Sequence, residues 1–289
     1  GADKDFEASQ ESFMRQKILT PYERLEIARD IKRPKMTDYI DALFDDFIEL
    51  SGDRLGKEDA SILGGIAFFE GMPVTVIGHR KGANLEENIK YNFGMPGPEG
   101  YRKALRLMKQ AEKFKRPVIT FVDTPGAYPG KEAEENGQSI AIAENLAEMS
   151  ALKVPIITIV TGEGSSGGAL AISVADEIWM LENAVYSVLS PEGFASILWK
   201  DAKRSKEACE VMKMTAEELY AGGLCDQVIP EAEGGIQEDF SDGCMKIRKA
   251  LRASLPVLMK IDTKTLLENR YQKYRHIEGE YHAIRRKAQ

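Results

Sequence analysis

Two stretches of this 289-residue sequence have the make-up of a site that works through its backbone. TPGAYPG (124–130) and GEGSSGGALA (162–171) each follow an apolar run and precede a helical pattern. Glycine at such a junction lets a ligand approach the chain without meeting a Cβ. The free amides at a helix start point outward, and the helix dipole there favours negative charge. The chemistry this suits is oxyanion stabilisation, in which losing one well-placed donor costs about 3–4 kcal/mol in the transition state. Gly167 and Gly168, directly ahead of ALAISVA, are the expected amide pair. The plainer reading is that these glycines only permit tight turns. Two such loops after adjacent strands favour the functional one.

Other motifs compete for the same residues. VDTPG (122–126) has the D-x-x-G form of a GTPase switch, but the one Walker-like candidate, GAYPGKE (126–132), is one residue short between its glycines. Its Lys131 is also followed by Glu132 where Ser or Thr is required. GSSGG (164–168) satisfies G-x-S-x-G with Ser166 at the centre, as a nucleophile elbow would. A hydrolase triad would then need an acid and a histidine. Asp226 is an acceptable acid, whereas His276 and His282 fall in the helical tail and His79 lies upstream. Ser166 is therefore expected to assist the turn. The basic trio His79, Arg80 and Lys81 reads equally well as an anion contact or a solvated strand end.

The elements that must carry these loops follow from the pattern. PVITFVD (117–123) and VPIITIVTG (154–162) are apolar throughout, as strands covered on both faces are. The helical spacing of Ile140, Ala143, Leu146, Ala147 and Met149 lies between them, which makes a βαβ unit with both glycine loops on the ligand-binding edge of a parallel sheet. Upstream, residues 20–48 read as two helices starting at Thr20-Pro21 and Thr37-Asp38, with Leu43, Phe44, Phe47 and Ile48 as one apolar stripe. Residues 62–78 read as two strands joined at Glu70-Gly71, and a helix should run from the NFGMPGPEG loop to about Phe114. Downstream, EIWMLENAVYSVLS (177–190) repeats the strand pattern, a helix begins near Pro191-Glu192, and Thr215-x-x-Glu218 marks a capped helix before a strand at 224–229. EAEGG (231–235) reads as a linker, and the basic tail after it as a solvated helix face, or through Tyr271, Tyr274 and Tyr281 as subunit packing. Trp179 and Trp199 read as core or interface anchors.

Composition narrows the class. A net charge of −7 opposes general nucleic-acid binding, so nucleic acid is not an expected partner. Cys209, Cys225 and Cys244 include no C-x-x-C, so no metal site is expected and the thiols should be reduced. The polar, acidic start lacks a signal peptide's apolar stretch, and no apolar run nears the roughly 18 residues of a membrane span. A soluble, cytoplasmic protein is the expectation.

The runs GDR (52–54), NFGMPGPEGYRKALRLM (92–108), ITFVDTPGAYPG (119–130), GEGSSGGALA (162–171) and SVLSPEGFASILWK (187–200), in that order, resemble the alpha subunits of bacterial acetyl-CoA carboxylase carboxyltransferase. The likeness extends from about residue 20 to the C-terminal helix. It implies an α/β fold with a crotonase-like (ClpP/crotonase) spiral ββα core (51–235), an N-terminal helical extension (1–50) and a C-terminal helical segment (236–289). It implies transfer of a carboxyl group from carboxybiotin, held on a biotin carboxyl carrier protein, to acetyl-CoA, giving malonyl-CoA for fatty-acid synthesis. By the family's pattern Gly167 and Gly168 are the backbone oxyanion hole facing biotin, and Gly126, Ala127, Gly130 and Ser166 line the adjoining pocket. The thioester's oxyanion hole and a four-cysteine zinc site are implied for a beta subunit, in an α2β2 assembly that works with biotin carboxylase. Other biotin-dependent acyl-CoA carboxylases or decarboxylases and CoA hydratases are the nearest alternatives; a serine hydrolase using Ser166 and an idle scaffold subunit are the rivals of other classes. Two departures stand out: Ser165 occupies a position where relatives often carry Gly, and the segment before residue 20 is shorter than the family's helical extension, with a leading Gly read as added to the native chain.

Overall fold

A computed structural model of the chain describes residues 18–287, with side chains as far as residue 277. Residues 1–17, and the side chains of Tyr281, His282, Arg285, Arg286 and Lys287, lie outside the described residues. The centre is one mixed sheet in the order β1-β2-β3-β4-β5-β6-β8, with β7 beside the far end of β5. The strands are β1 Asp45–Glu49, β2 Ile62–Phe69, β3 Met72–His79, β4 Val118–Thr124, β5 Ile156–Ser165, β6 Glu177–Leu181, β7 Val185–Ser187 and β8 Gln227–Ile229. β1 to β3 pair antiparallel, and from β3 onward every neighbouring pair in this order is parallel.

Local chemistry accounts for this order. Glu70 and Gly71 both take positive φ (46° and 82°), the two-residue turn whose twist matches an antiparallel pair, so β2 folds directly back as β3. Every residue of β4 and β5 is buried, which is why neither alternates polar with apolar. The crossover helix Pro98–Lys113 buries Ala104, Leu107, Met108 and Ala111, residues three and four apart, on one side. The second crossover helix, Gln138–Ser150, returns the chain to β5. β5 is long enough to pair with β6 through Ile157–Val160 and with β7 through Glu163–Ser165. Its last residues thus project past β6 and carry the second glycine loop.

Three sequence expectations are corrected here. Phe47 and Ile48 belong to β1 and not to a helical stripe: the helix Met36–Leu43 stops where Phe44 turns extended, Asp46 takes φ 53°, and the chain pairs with β2. EAEGG is no free linker, because the buried Glu231 carboxylate receives both forks of Arg33 (2.7 and 2.9 Å) and the amides of Asn183 and Ile236. The basic tail is not simply solvated. Arg270 is 1% exposed, and all its donors are used, on Asp176 and on the carbonyls of Met149, Leu152 and Val154. Lys273 reaches Asp226 and the Leu224 carbonyl, and Tyr274 Oη bonds both backbone groups of Ala175. Tyr271, by contrast, is left largely exposed.

The helix Phe240–Met259 joins the main core, where Ile247, Leu251 and Leu255 meet the sheet residues and the fully buried Trp179. Trp199 packs edge-on to Phe194 with Arg204 over its ring. The three cysteines are free and buried, and burial pushes each thiol up to about 11. Stripping one partner from a buried, fully bonded ion pair leaves an uncompensated charge and costs about 3–5 kcal/mol. Arg270→Ala should lower the unfolding free energy measured in urea by that much, whereas Arg252→Ala, which breaks an exposed pair with Glu70, should leave it near wild type.

Candidate functional site

The site is assembled where β3, β4 and β5 end. β4 runs into TPGAYPG, whose first turn is closed by Thr124: the Gly126 amide donates to Thr124 Oγ1 (3.1 Å), and the hydroxyl donates to the Gly126 carbonyl (2.9 Å). Gly126 takes φ 145°, outside the range of an L side chain. The loop is tied to the NFGMPGPEG segment, because the Tyr128 amide and Gln138 Nε2 both donate to the Pro96 carbonyl at 2.9 Å. β5 ends at Ser165, and the chain then turns through Ser166, held at φ 62°, into the short helix Ser166–Leu170.

The two glycine loops touch each other. A Cβ on Gly168 would lie 2.4 Å from the Ala127 nitrogen, 2.6 Å from the Gly126 carbonyl carbon and 2.9 Å from Tyr101 Oη. Two of these are backbone atoms that no rotamer change can move. Gly167 differs: it is half-buried, and an added Cβ would meet only the Ile142 side chain, at 3.6 Å. As first-turn residues of a helix, Gly167 and Gly168 have amides without an intrahelical acceptor. The fold thus brings Gly126, Ala127 and Gly168 into direct contact, with Ser166 and Gly167 at the same junction. Gly130 sits further along, packed on the Tyr128 ring. Two buried hydroxyls here have no protein partner, Tyr101 Oη and Ser165 Oγ.

The basic trio is drawn into this edge and is not a solvated strand end. His79 closes β3, is 2% exposed, and spans two strands: the Asp123 amide donates to Nδ1, and Nε2 pairs with the Gly168 carbonyl, both at 3.2 Å. Since an amide can only donate, Nδ1 must be the bare nitrogen and Nε2 carries the hydrogen. Burial lowers the ring's pKa to about 4. Arg80 stacks 4.3 Å over Tyr91, and Lys81 Nζ donates to Asp123 Oδ1 at 2.8 Å. The same carboxylate oxygen receives the Glu163 amide.

Beside the loops opens a pocket of about 220 Å³ whose lining includes Arg29, Lys35, Lys81, Phe93, Asp123, Pro125 and Glu163. It reaches Pro125 but not the glycines that follow. Two of its carboxylates are paired in place: Asp123 with Lys81, and the buried Glu163 with a bidentate Arg29 that also holds Glu192. Lys35 is half-buried, and desolvation lowers its pKa. None of these pairs was legible as a site from spacing, since Arg29 and Glu163 are 134 residues apart. The only hint was a charged residue at the end of an apolar strand.

Among the described residues, a hydrolase reading of Ser166 finds no triad. His79 uses both ring nitrogens on backbone groups, and His276 lies exposed on the tail helix with Nδ1 against the Gln272 carbonyl. Asp226 receives the Ile178 amide and Lys273. Among the described residues there is also no His/Cys/Asp/Glu cluster able to hold a metal and no helix long and apolar enough to cross a membrane.

Residues 3–278 match the sequence family described as acetyl co-enzyme A carboxylase carboxyltransferase-like. The chain is 60% identical over 259 residues to the acetyl-coenzyme A carboxylase carboxyl transferase subunit alpha of Clostridium acetobutylicum, covering 90% of this chain and 94% of that one. In three dimensions it resembles transcarboxylase 12S, with a TM-score of 0.63 at 23% identity over 79% of this chain, while spanning only 44% of the transcarboxylase chain. It also matches a chain of a Pseudomonas malonate decarboxylase hetero-tetramer, with a TM-score of 0.63 at 16% identity, over 80% of this chain and 92% of that one. At such identities these likenesses establish the fold, the α/β architecture of crotonase-like carboxyltransferases. By sequence the assignment goes further, and the chain belongs to the family of acetyl-CoA carboxylase carboxyltransferase alpha subunits.

Proposed function

We propose that this subunit supplies the biotin-facing half of a carboxyltransferase active site. Its reaction moves a carboxyl group from carboxybiotin to acetyl-CoA, forming malonyl-CoA for fatty-acid synthesis. When bound, carboxybiotin supplies the carboxyl group and a ureido oxygen on which negative charge collects. The amides of Gly167 and Gly168 donate toward that oxygen, while Gly126, Ala127, Gly130 and Ser166 form the wall that orients the ring. A beta subunit contributes the thioester's oxyanion hole and the zinc site, in an α2β2 assembly in the cytoplasm served by the biotin carboxyl carrier protein and biotin carboxylase. Residues 51–235 form the catalytic unit, flanked by the segments 1–50 and 236–289.

The observation that carries this reading is the contact of the two glycine loops at position 168, which leaves the neighbouring Gly167 open. The residues fit the group. Gly167 offers a surface that a planar ring can approach without a Cβ in the way, and Asp123 and Glu163 in the adjacent pocket are already paired with cations. Fixed dipoles of this kind need no reorganisation during the reaction, which is why they contribute so much.

Malonyl-CoA-dependent carboxylation of biocytin tests it, using this chain with its beta partner. Gly167→Val should assemble normally and lower kcat by about 100-fold or more, the scale of one lost oxyanion donor. A correctly assembled variant at full rate removes Gly167 from the site. Gly168→Ala should lose activity and also about 1–3 kcal/mol of stability, because its methyl group overlaps backbone. A fluorophosphonate that labels serine hydrolases should leave Ser166 unmodified, and stoichiometric labelling there reinstates the hydrolase.

A further inference from the structure

We propose that His79 is the positioning residue of the amide pair, a neutral imidazole whose Nε2–H holds the Gly168 carbonyl and so sets the direction of the adjoining amides; this rests on the function proposed above. The Gly168 carbonyl is buried, and the helix does not use it. The Ile172 amide, four residues on, donates to the Ala169 carbonyl instead, and the Ala171 amide takes Gly167. A buried carbonyl without a partner is costly, and His79 Nε2 at 3.2 Å supplies one.

The tautomer is not free to vary. The Asp123 amide at Nδ1 requires a bare nitrogen there, so the hydrogen stays on Nε2. Position 168 is thus fixed from two directions, by overlap with the Gly126–Ala127 backbone on one side and by the imidazole on the other. Peptide planarity fixes the Ala169 amide with this carbonyl, and because position 168 is also held against Gly126 and Ala127, the orientation of Gly168, whose own amide belongs to the pair, is fixed with it. The charged and titratable groups around the ring are the Asp123 carboxylate, Lys81 on that carboxylate, and Tyr101 Oη at Gly168. Burial dominates them and keeps the ring neutral.

The test compares His79→Phe, which keeps a ring but no polar atom, with His79→Gln, whose side-chain amide can again donate to Gly168. In the assembled enzyme His79→Phe should lower kcat by about 100-fold, the effect of a misplacement near 1 Å, and leave KM for malonyl-CoA within about twofold. His79→Gln should recover most of the loss. Wild-type kcat in His79→Phe, or no rescue by Gln, overturns the proposal. If His79→Phe does not fold, ¹⁵N spectra of the imidazole in the wild-type complex decide, and an Nδ1–H form overturns it.

Acid stability gives a second readout. With the folded pKa near 4 against the usual 6.5, the neutral ring's contribution is complete above pH 6.5 and is lost as pH falls toward 4, so the stability gap between wild type and His79→Gln should shrink across that window. A constant gap overturns the assignment. Gly167→Val at full rate removes the amide pair and this role with it. Collapse of Gly167→Val beside an unaffected His79→Phe removes His79 alone.

Discussion

Position 168 admits no side chain, because its Cα lies against the backbone of Gly126 and Ala127. Two loops that belong to different strands are thereby locked at van der Waals distance, and much at this sheet edge serves to keep them there. Thr124 closes the first loop on itself, and Pro96 gathers it in through Tyr128 and Gln138. Ser166 accepts a left-handed φ that costs a serine about 1 kcal/mol, so that the chain can leave β5 and start a helix within one residue. Strain of this kind persists only where the surroundings over-determine it.

The flanking helices are part of that over-determination. Arg33 and Glu231 bury an ion pair in which the guanidinium also donates to the Thr161 carbonyl, one residue before the β5 glycines begin. At the opposite end of β5, Arg270 and Asp176 do the same, with Asp176 also receiving the Ile156 amide. Buried pairs add little net stability over apolar packing, but their geometry is unforgiving. The two pairs therefore pin β5 at both ends to segments far away in sequence, and the second glycine loop inherits the precision.

What could be read from sequence divides along the same line. The hairpin at Glu70-Gly71, the uniform burial of β4 and β5, and the Thr20 and Thr215 caps rest on interactions within a few residues, and the pattern shows them; the start read at Thr37-Asp38 instead falls at Met36, with Lys35 as the cap residue. The glycine loops were legible as backbone chemistry, and their family from long ordered motifs. His79 was legible only as one of three basic residues, because its role depends on Asp123 and Gly168, 44 and 89 residues distant. Arg270 and Glu231 looked like solvated tail and linker for the same reason. Periodicity reports which face is buried; it carries no information on which distant carbonyl needs a donor.

The charge arrangement explains why so polar an edge can still act through neutral groups. Near the loops Asp123 is held by Lys81, Glu163 by Arg29, and the one imidazole is kept neutral by burial. With these groups committed to structure, what the chain sets at the junction of its glycine loops is a group of fixed backbone dipoles beside a nearly charge-balanced pocket. Such dipoles act by direction alone. On the function proposed above, a histidine held by two backbone groups and a glycine with no room for a methyl group therefore matter more than any titrating side chain.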